Sequence, residues 1–401
     1  MWLGFLKYPL LFSVVVVVVS AKSAAAQNMS MHNMPGMDFP TSKAKRPVTA
    51  PSNEATKKQL ALARAEGDAV DQCTAWIVQQ AGNMAGTLNA GEYKITYAIT
   101  SPEGWYSYNN NSLSWQPPSD ANAHLWLFVQ DGADGRIVPP LNITAQIKDS
   151  RGNSILSKNL PFAWMPLING YGDNINLPGD ENYKLQVQID PPQYHRHDPY
   201  NGDRFTDVTK AEIPVTVSLS MLTNQKPLSE AMEQQKTLSQ NAGNAYANTV
   251  KNMYKQANDG RDTVLNDYKV AFAVEYAEGY WDYEHGIFRY KVENDLSGRT
   301  NVHVEVAVLD AKTGRFLHDL NVTATLNKDG KDIGTKVEPF MWHPWLYHYG
   351  ENWRVPSAGK YDLHIHFDPP PYRRYGKNDG RQFARSLDFN FNNIKIKTGQ
   401  K

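Results

Sequence analysis

The segment Phe162-Ala163-Trp164-Met165-Pro166 returns in the same chain as Phe340-Met341-Trp342-His343-Pro344, 178 positions further along. Two more motifs follow each copy in the same order. Tyr171-Gly172-Asp173-Asn174 matches Tyr349-Gly350-Glu351-Asn352, and Asp190-Pro191-Pro192 matches Asp368-Pro369-Pro370. A repeat of this length exceeds the roughly 20 to 50 residues of solenoid units. Each copy is therefore long enough to be a whole domain with its own core, and the sequence predicts a tandem duplication.

Short alternating runs of apolar and polar residues recur in both copies. They cover residues 94–99, 124–130, 142–147, 183–190 and 213–220, and then 269–275, 303–309, 321–326, 361–368 and 386–394. Such runs, separated by Gly, Pro, Asn and Asp, predict antiparallel β-sandwiches. Proline-free stretches rich in Ala, Gln, Glu and Lys precede them at 54–81 and 228–257 and predict helices. We expect two domains, at 54–224 and 225–401, each made of a helical segment and a β-sandwich.

The first 26 residues have the pattern of a cleaved secretory signal peptide. Lys7 precedes an apolar run from Leu10 to Val19, and Ala24-Ala25-Ala26 supplies the small residues of a cleavage site. The run is shorter than the about 20 apolar residues of a membrane-spanning helix, although a retained anchor is the alternative. Cys73 is the only cysteine, which excludes an intramolecular disulfide. We predict a periplasmic or extracellular protein.

Residues 27–53 form a leader and linker rich in methionine near its start. Thioether sulfurs are neutral, soft ligands that suit Cu(I) better than hard cations. A low-complexity leader with chance methionines is the alternative reading. Acidic and basic residues balance at 41 each, which argues against a nucleic-acid partner. The predicted auxiliary metal ligands of the leader are Met29, Met31, His32, Met34 and Met37.

The second copy carries a mixed set of ligand types. His303 and Glu305 are two apart on a predicted strand, so both side chains point from the same face. Met341 and His348 flank a proline-containing loop that can fold back on that face. Imidazole, thioether and carboxylate together suit copper, whereas zinc has less use for the thioether. A solvated strand face with a methionine in the core is the alternative.

The first copy lacks most of that set. His124 aligns with His303, but Trp126, Ala163 and Gly170 replace the carboxylate, thioether and second imidazole. The first copy instead has His195-Arg196-His197 after its Asp-Pro-Pro turn, where the second has Arg373-Arg374-Tyr375. Each copy therefore keeps ligands that the other has lost.

These motifs resemble those of the periplasmic ferrous-iron transport accessory proteins, over both copies. The H-x-E element matches His303 and Glu305, the M-x6-H element matches Met341 and His348, and the trailing H-R-H matches residues 195–197. The resemblance implies an immunoglobulin-like sandwich, bound copper, iron as the transported ion and a membrane iron permease as partner. Members of this family are usually homodimers of a single domain, in which the trailing histidine completes the copper site of the neighbouring subunit.

The resemblance also gives the unequal copies a meaning. If the two repeats pack as an internal pseudo-dimer, one composite copper site forms from His303, Glu305, Met341 and His348, with His195 or His197 from the first copy. The mirror-related site would keep only His124 and be empty. An exposed, pH-sensitive loop is the alternative for the H-R-H segment. A second, looser cluster of His343, His364 and His366 is also considered, against a solvated sheet face.

Three classes of function remain open. The preferred one is a metal-binding protein without catalytic activity that assists iron or copper uptake. A copper-dependent ferroxidase or reductase is the second, although the chain offers no cysteine ligand of the blue-copper type. The third is a carbohydrate-binding module, for which Trp105, Tyr106, Tyr280 and Trp281 would have to form an exposed platform.

Overall fold

A computed structural model describes residues 49–109, 112–118, 120–284, 286–292 and 301–398. The predicted signal peptide and the methionines of the leader lie outside this range. None of the helices within these residues is long and apolar enough to cross a membrane.

The first repeat begins with a helix and continues as twelve strands. Thr56 caps helix α1 at its N-terminus by accepting a hydrogen bond from the amide of Gln59, which bonds back to the cap. The elements are α1 (Lys57–Ala81), a 3-10 turn (Gly82–Met84), β1 (Ala85–Ala90), β2 (Tyr93–Thr100), β3 (Trp105–Asn109), β4 (Ser112–Gln116), β5 (Ala123–Asp131), β6 (Ile143–Lys148), β7 (Ser154–Asn159), β8 (Phe162–Trp164), β9 (Gly170–Ile175), β10 (Glu181–Ile189), β11 (His195–His197) and β12 (Thr209–Val217).

The second repeat follows the same order after two short helices. Its elements are α2 (Leu219–Leu222), α3 (Leu228–Met232), α4 (Lys236–Gln256), β13 (Asp259–Leu265), β14 (Tyr268–Glu275), β15 (Tyr280–Glu284), β16 (Ile287–Lys291), β17 (Val302–Asp310), β18 (Val322–Lys328), β19 (Lys331–Glu338), β20 (Phe340–Trp342), β21 (Tyr347–Trp353), β22 (Gly359–Phe367), β23 (Arg373–Tyr375), a 3-10 turn (Asp379–Arg381) and β24 (Leu387–Ile396).

The predicted fold class is confirmed, since the protein is mostly β and each half is built like a sandwich. All ten predicted runs fall on strands, although β12 ends at Val217 because residues 219–222 turn into a helix. Among the strands that the pattern missed, β8 and β20 have three residues each and are buried at every position. Such strands show no alternation in sequence.

Each half pairs an eight-stranded sheet with a four-stranded one. The first half has the orders β1-β2-β5-β9-β8-β23-β3-β4 and β12-β10-β6-β7. The second has β13-β14-β17-β21-β20-β11-β15-β16 and β19-β18-β22-β24. Strand β23 of the second repeat thus lies between β8 and β3 of the first, and β11 of the first lies between β20 and β15 of the second. The two repeats exchange one strand each.

Reciprocal contacts hold the halves together. Arg136 donates to the carbonyl of His343 at 3.0 Å, and Arg315, at the same position of the second repeat, donates to the carbonyl of Met165 at 2.9 Å. Helices α1 and α4 also pack against each other.

Within the first repeat, Gly67 of α1 lies very close to the loop that contains Asp134. A Cβ at this position would lie 1.7 Å from the carbonyl oxygen of Asp134, so a larger residue would separate the helix from the loop.

Candidate metal centre

Three elements of the second half and one of the first converge on a single buried point. His303 and Glu305 lie two apart on β17 and share a face. Met341 on β20 stands directly opposite His348 on β21. Strand β11 runs parallel to β20 and places His195 opposite Met341, so His197 follows on the same side. The strand exchange therefore carries a first-repeat histidine into the second-repeat site.

The ligand atoms lie close together. Nε2 of His197 is 3.0 Å from Sδ of Met341, and Nε2 of His303 is 3.4 Å from Nε2 of His348. Oε1 of Glu305 is 3.8 Å from Nε2 of His348. One nitrogen of each of the three imidazoles falls in a group whose atoms all lie within 4.8 Å of one another. The imidazoles and the thioether are fully buried, and Glu305 is 4% exposed.

Hydrogen bonds on the far side of two rings fix which nitrogen carries the proton. Asn352 accepts the amide N–H of Glu278 through Oδ1 and donates Nδ2 to the carbonyl of the same residue. That Oδ1 faces Nδ1 of His303 at 2.9 Å, so Nδ1 must be the protonated nitrogen. In the same way, Nδ1 of His197 faces the carbonyl oxygen of Gly279 at 2.9 Å. When these rings are neutral, both Nε2 atoms therefore present lone pairs to the centre.

Burial keeps the rings of His303 and His348 neutral. Desolvation, reinforced by the neighbouring His197, holds the pKa of His303 well below its usual value. Desolvation also lowers the pKa of His348 strongly, with further contributions from His197, His303 and His343. Neutral imidazole is the form that binds metals. Within the described residues, Nδ1 of buried His348 has no hydrogen-bond partner.

His195 lies beside the group rather than within it. Its ring stacks on Tyr280 with centroids 4.4 Å apart, and Nε2 is 3.3 Å from a carboxylate oxygen of Asp282. Of the two histidines that the sequence offered from the first repeat, the structure brings His197 to the centre.

The considered cluster of His343, His364 and His366 does not assemble. His343 is buried next to the centre, with its ring centroid 5.5 Å from that of His197. His364 and His366 are partly exposed on β22 and contact Asp388 instead. His318 is 6% exposed and packs against Phe316.

Two carboxylates near the centre were missed. Glu54 and Glu278 form a second potential metal-binding group with His197. Glu54 precedes α1, and its Oε2 lies 4.0 Å from Nε2 of His343. Glu278 corresponds to Glu103 of the first repeat, and each is followed by a glycine and two aromatic residues. Neither residue is adjacent in sequence to a predicted ligand, so only the fold reveals their position.

The mirror-related position in the first half is filled by aromatic rings. The Trp126 ring lies 3.9 Å from that of His124 and 4.6 Å from that of Tyr375, between centroids. Tyr375 is the last residue of β23 and corresponds to His197, the last residue of β11. The position does keep only His124 of the ligand set, as predicted, but its space is occupied. Burial lowers the pKa of His124 to about 3, so this ring is also neutral.

The four aromatic residues of the carbohydrate alternative do not form an open platform. Tyr106 and Trp281 are both 7% exposed. Trp105 is covered by the guanidinium of Arg373, 4.2 Å from the ring centroid, and Tyr280 is covered by His195. Side chains of the protein itself therefore cover the ring faces of Trp105 and Tyr280.

Comparisons with known proteins agree with the predicted family. Residues 130–221 match the family described as Fe2+ transport protein. No curated protein matches the chain significantly. Among solved structures, FetP of uropathogenic Escherichia coli strain F11 is 20% identical, with 34% of this chain and 94% of that chain covered and a TM-score of 0.29. Copper-reconstituted P19 of Campylobacter jejuni is 16% identical, with 34% and 96% covered and a TM-score of 0.28. Residues 130–221, which lie within the first repeat, are therefore similar to the Fe2+ transport protein family.

Proposed function

We propose that this protein is a periplasmic accessory protein of iron uptake that binds one copper ion between its two halves. The ligands are His197, His303, Met341 and His348, with Glu305 at the edge of the site. The match of residues 130–221 to the Fe2+ transport protein family supports iron as the transported ion. A membrane iron permease is the proposed partner.

One observation carries the metal assignment. The protonated Nδ1 of His197 leaves a nitrogen lone pair pointing at the sulfur of Met341 from 3.0 Å, and sulfur is itself only a weak acceptor. In the neutral ring, this tautomer leaves no proton between Nε2 and the sulfur, so the two electron-rich atoms repel each other in a dry interior. A cation placed among the four ligands would turn this repulsion into coordination.

The ligand types favour copper over zinc. Three imidazoles and a carboxylate alone would suit zinc. A fully buried thioether aimed into the site favours a soft or borderline ion, and copper accepts this ligand in both oxidation states. Once bound, copper supplies a fixed positive charge, which shifts the ionisation of nearby groups such as Glu278 and Glu54. We propose no catalytic turnover.

A pair of methionine substitutions tests the copper assignment. Met341→Leu removes the sulfur with little change in volume, and Met165→Leu makes the same change at a buried methionine of the first half. We expect Met341→Leu to weaken Cu(I) binding in a competition titration with a chromophoric chelator, while Met165→Leu does not. Equal Cu(I) affinity in the two variants would contradict the assignment.

Elemental analysis of the copper-loaded chain gives the stoichiometry. One tightly held copper that survives removal of residues before Pro47 supports a single composite site, with the leader as an auxiliary. Two equal coppers contradict it. Sustained oxygen consumption during incubation of the copper form with Fe2+ would indicate that the protein is a ferroxidase rather than an accessory protein.

A further inference from the structure

A second group of imidazoles lies on the outer sheet of the second half, away from the buried centre. His364 and His366 are two apart on β22, so both side chains leave the same face of the strand. Leu363, Ile365 and Phe367 alternate with them and are buried. The histidine side chains are 35% and 36% exposed and face solvent.

Both rings converge on one carboxylate oxygen. Nε2 of His364 lies 2.8 Å from Oδ1 of Asp388, and Nδ1 of His366 lies 3.0 Å from the same atom. Asp388 stands directly opposite His366 on β24. A second carboxylate, Asp368, approaches Nε2 of His366 to 3.6 Å. Two imidazoles and two carboxylates thus share one patch of the sheet.

The first half shows what this sheet face looks like without these groups. Gln186 and Gln188 occupy the positions of the two histidines, and Lys210 stands where Asp388 stands, opposite the second of them. The glutamine amides bond to Glu212 and Asp190 at 2.8 and 3.0 Å. The fold therefore does not require imidazole at these positions.

We propose that His364, His366 and Asp388 form a solvent-facing site for a borderline divalent cation such as Zn2+, Cu2+ or Ni2+. Imidazole and carboxylate are the ligands these ions take, with Zn–N distances of about 2.0–2.1 Å. Both side chains are exposed, and rotation about their side-chain bonds would bring the two nitrogens to that distance from one ion. Without a thioether, the site has no preference for Cu(I), and it does not depend on the buried centre.

The test replaces the two histidines by the residues of the first half. Zn2+ is titrated into the full chain and into the His364→Gln/His366→Gln double variant by isothermal titration calorimetry. We expect the double variant to bind one equivalent of Zn2+ fewer than the unchanged chain. Its thermal unfolding should be nearly unaltered because both substituted side chains lie at the surface.

Two further measurements separate this site from the buried one. In the Met341→Leu variant, the equivalent of Zn2+ assigned to the surface site should remain. In the chain whose buried site is already filled with Cu(I), substoichiometric Cu2+ should broaden the imidazole proton resonances that the double variant lacks. Identical Zn2+ stoichiometry and affinity in the double variant and the unchanged chain would overturn the proposal.

Discussion

Nε2 of His197 and Sδ of Met341 lie 3.0 Å apart, although 144 positions separate the two residues in the chain. The contact exists because β11 of the first repeat lies beside β20 of the second. Both side chains are fully buried. The site therefore belongs to neither repeat alone.

His197 should be needed for tight copper binding, even though the other ligands lie in the second repeat. His197→Gln removes the nitrogen that faces Met341, whereas His195→Gln changes a ring beside the group that contacts Asp282. We expect His197→Gln to weaken copper binding far more than His195→Gln in competition titrations. Equal, small effects of the two changes would exclude the composite site.

Asn352 should act as a positioning residue for His303. Asn352→Ala frees the ring to turn, and loss of such an outer hydrogen bond costs about 10–100-fold in metal affinity. Asn174 provides a matched control because it makes the same bonds in the first half, to Glu103 and to Nδ1 of His124. The two alanine variants should lose similar stability.

Asn174→Ala should leave copper affinity unchanged, whereas Asn352→Ala should lower it. Parallel thermal unfolding and copper titrations of Asn352→Ala and Asn174→Ala distinguish positioning from general damage. A loss of affinity in Asn174→Ala as large as in Asn352→Ala would show that the effect is not local.

His318 should make the protein sensitive to acid. Burial, and next the charge of Arg315, lowers its pKa to about 3 in the folded protein, from 6.5 for the free side chain. Below pH 6.5 the unfolded chain binds a proton at His318, whereas the folded protein binds it only near pH 3. The stability is therefore complete above pH 6.5 and falls as the pH decreases toward 3, by about 1.4 kcal/mol per pH unit for one proton.

His318→Phe should reduce this pH dependence, since Phe162 and Phe316 already surround the ring. Chemical denaturation at several pH values between 4 and 7.5 measures the slope. The difference between the two proteins at pH 7.5 reports the packing change alone. An unchanged slope between pH 6 and 4 would mean that His318 is protonated in the folded state.

The separated repeats should be incomplete. A chain of residues 49–224 lacks β23 and one of residues 225–401 lacks β11, so each eight-stranded sheet would have a gap. We expect each piece alone to be less stable by circular dichroism, and the second piece to lose tight copper binding. Co-expression should restore a complex of both pieces on size-exclusion chromatography. A stable, copper-binding monomer of residues 225–401 would contradict this.

Most of the architecture can be predicted from local patterns. Strands such as β22 alternate apolar and polar residues with a period of two, because one face is buried and the other is solvated. Helix α1 begins near its predicted start because Thr56 can cap it. The short strands β8, β11, β20 and β23 have no such pattern, since pairing with distant strands stabilises them rather than local propensity.

The sequence by itself determined the duplication, the sandwich class and the ligand types, because repeats, side-chain periodicity and chemical identity are local properties. It could offer His195 and His197 as equal candidates from the first repeat. Only the tertiary structure decided that His197 meets Met341, that Glu54 and Glu278 lie beside it, and that Trp126 and Tyr375 fill the mirror position. These outcomes depend on which strands are exchanged between the halves, and strand exchange is a choice among long-range pairings that no short stretch of sequence specifies.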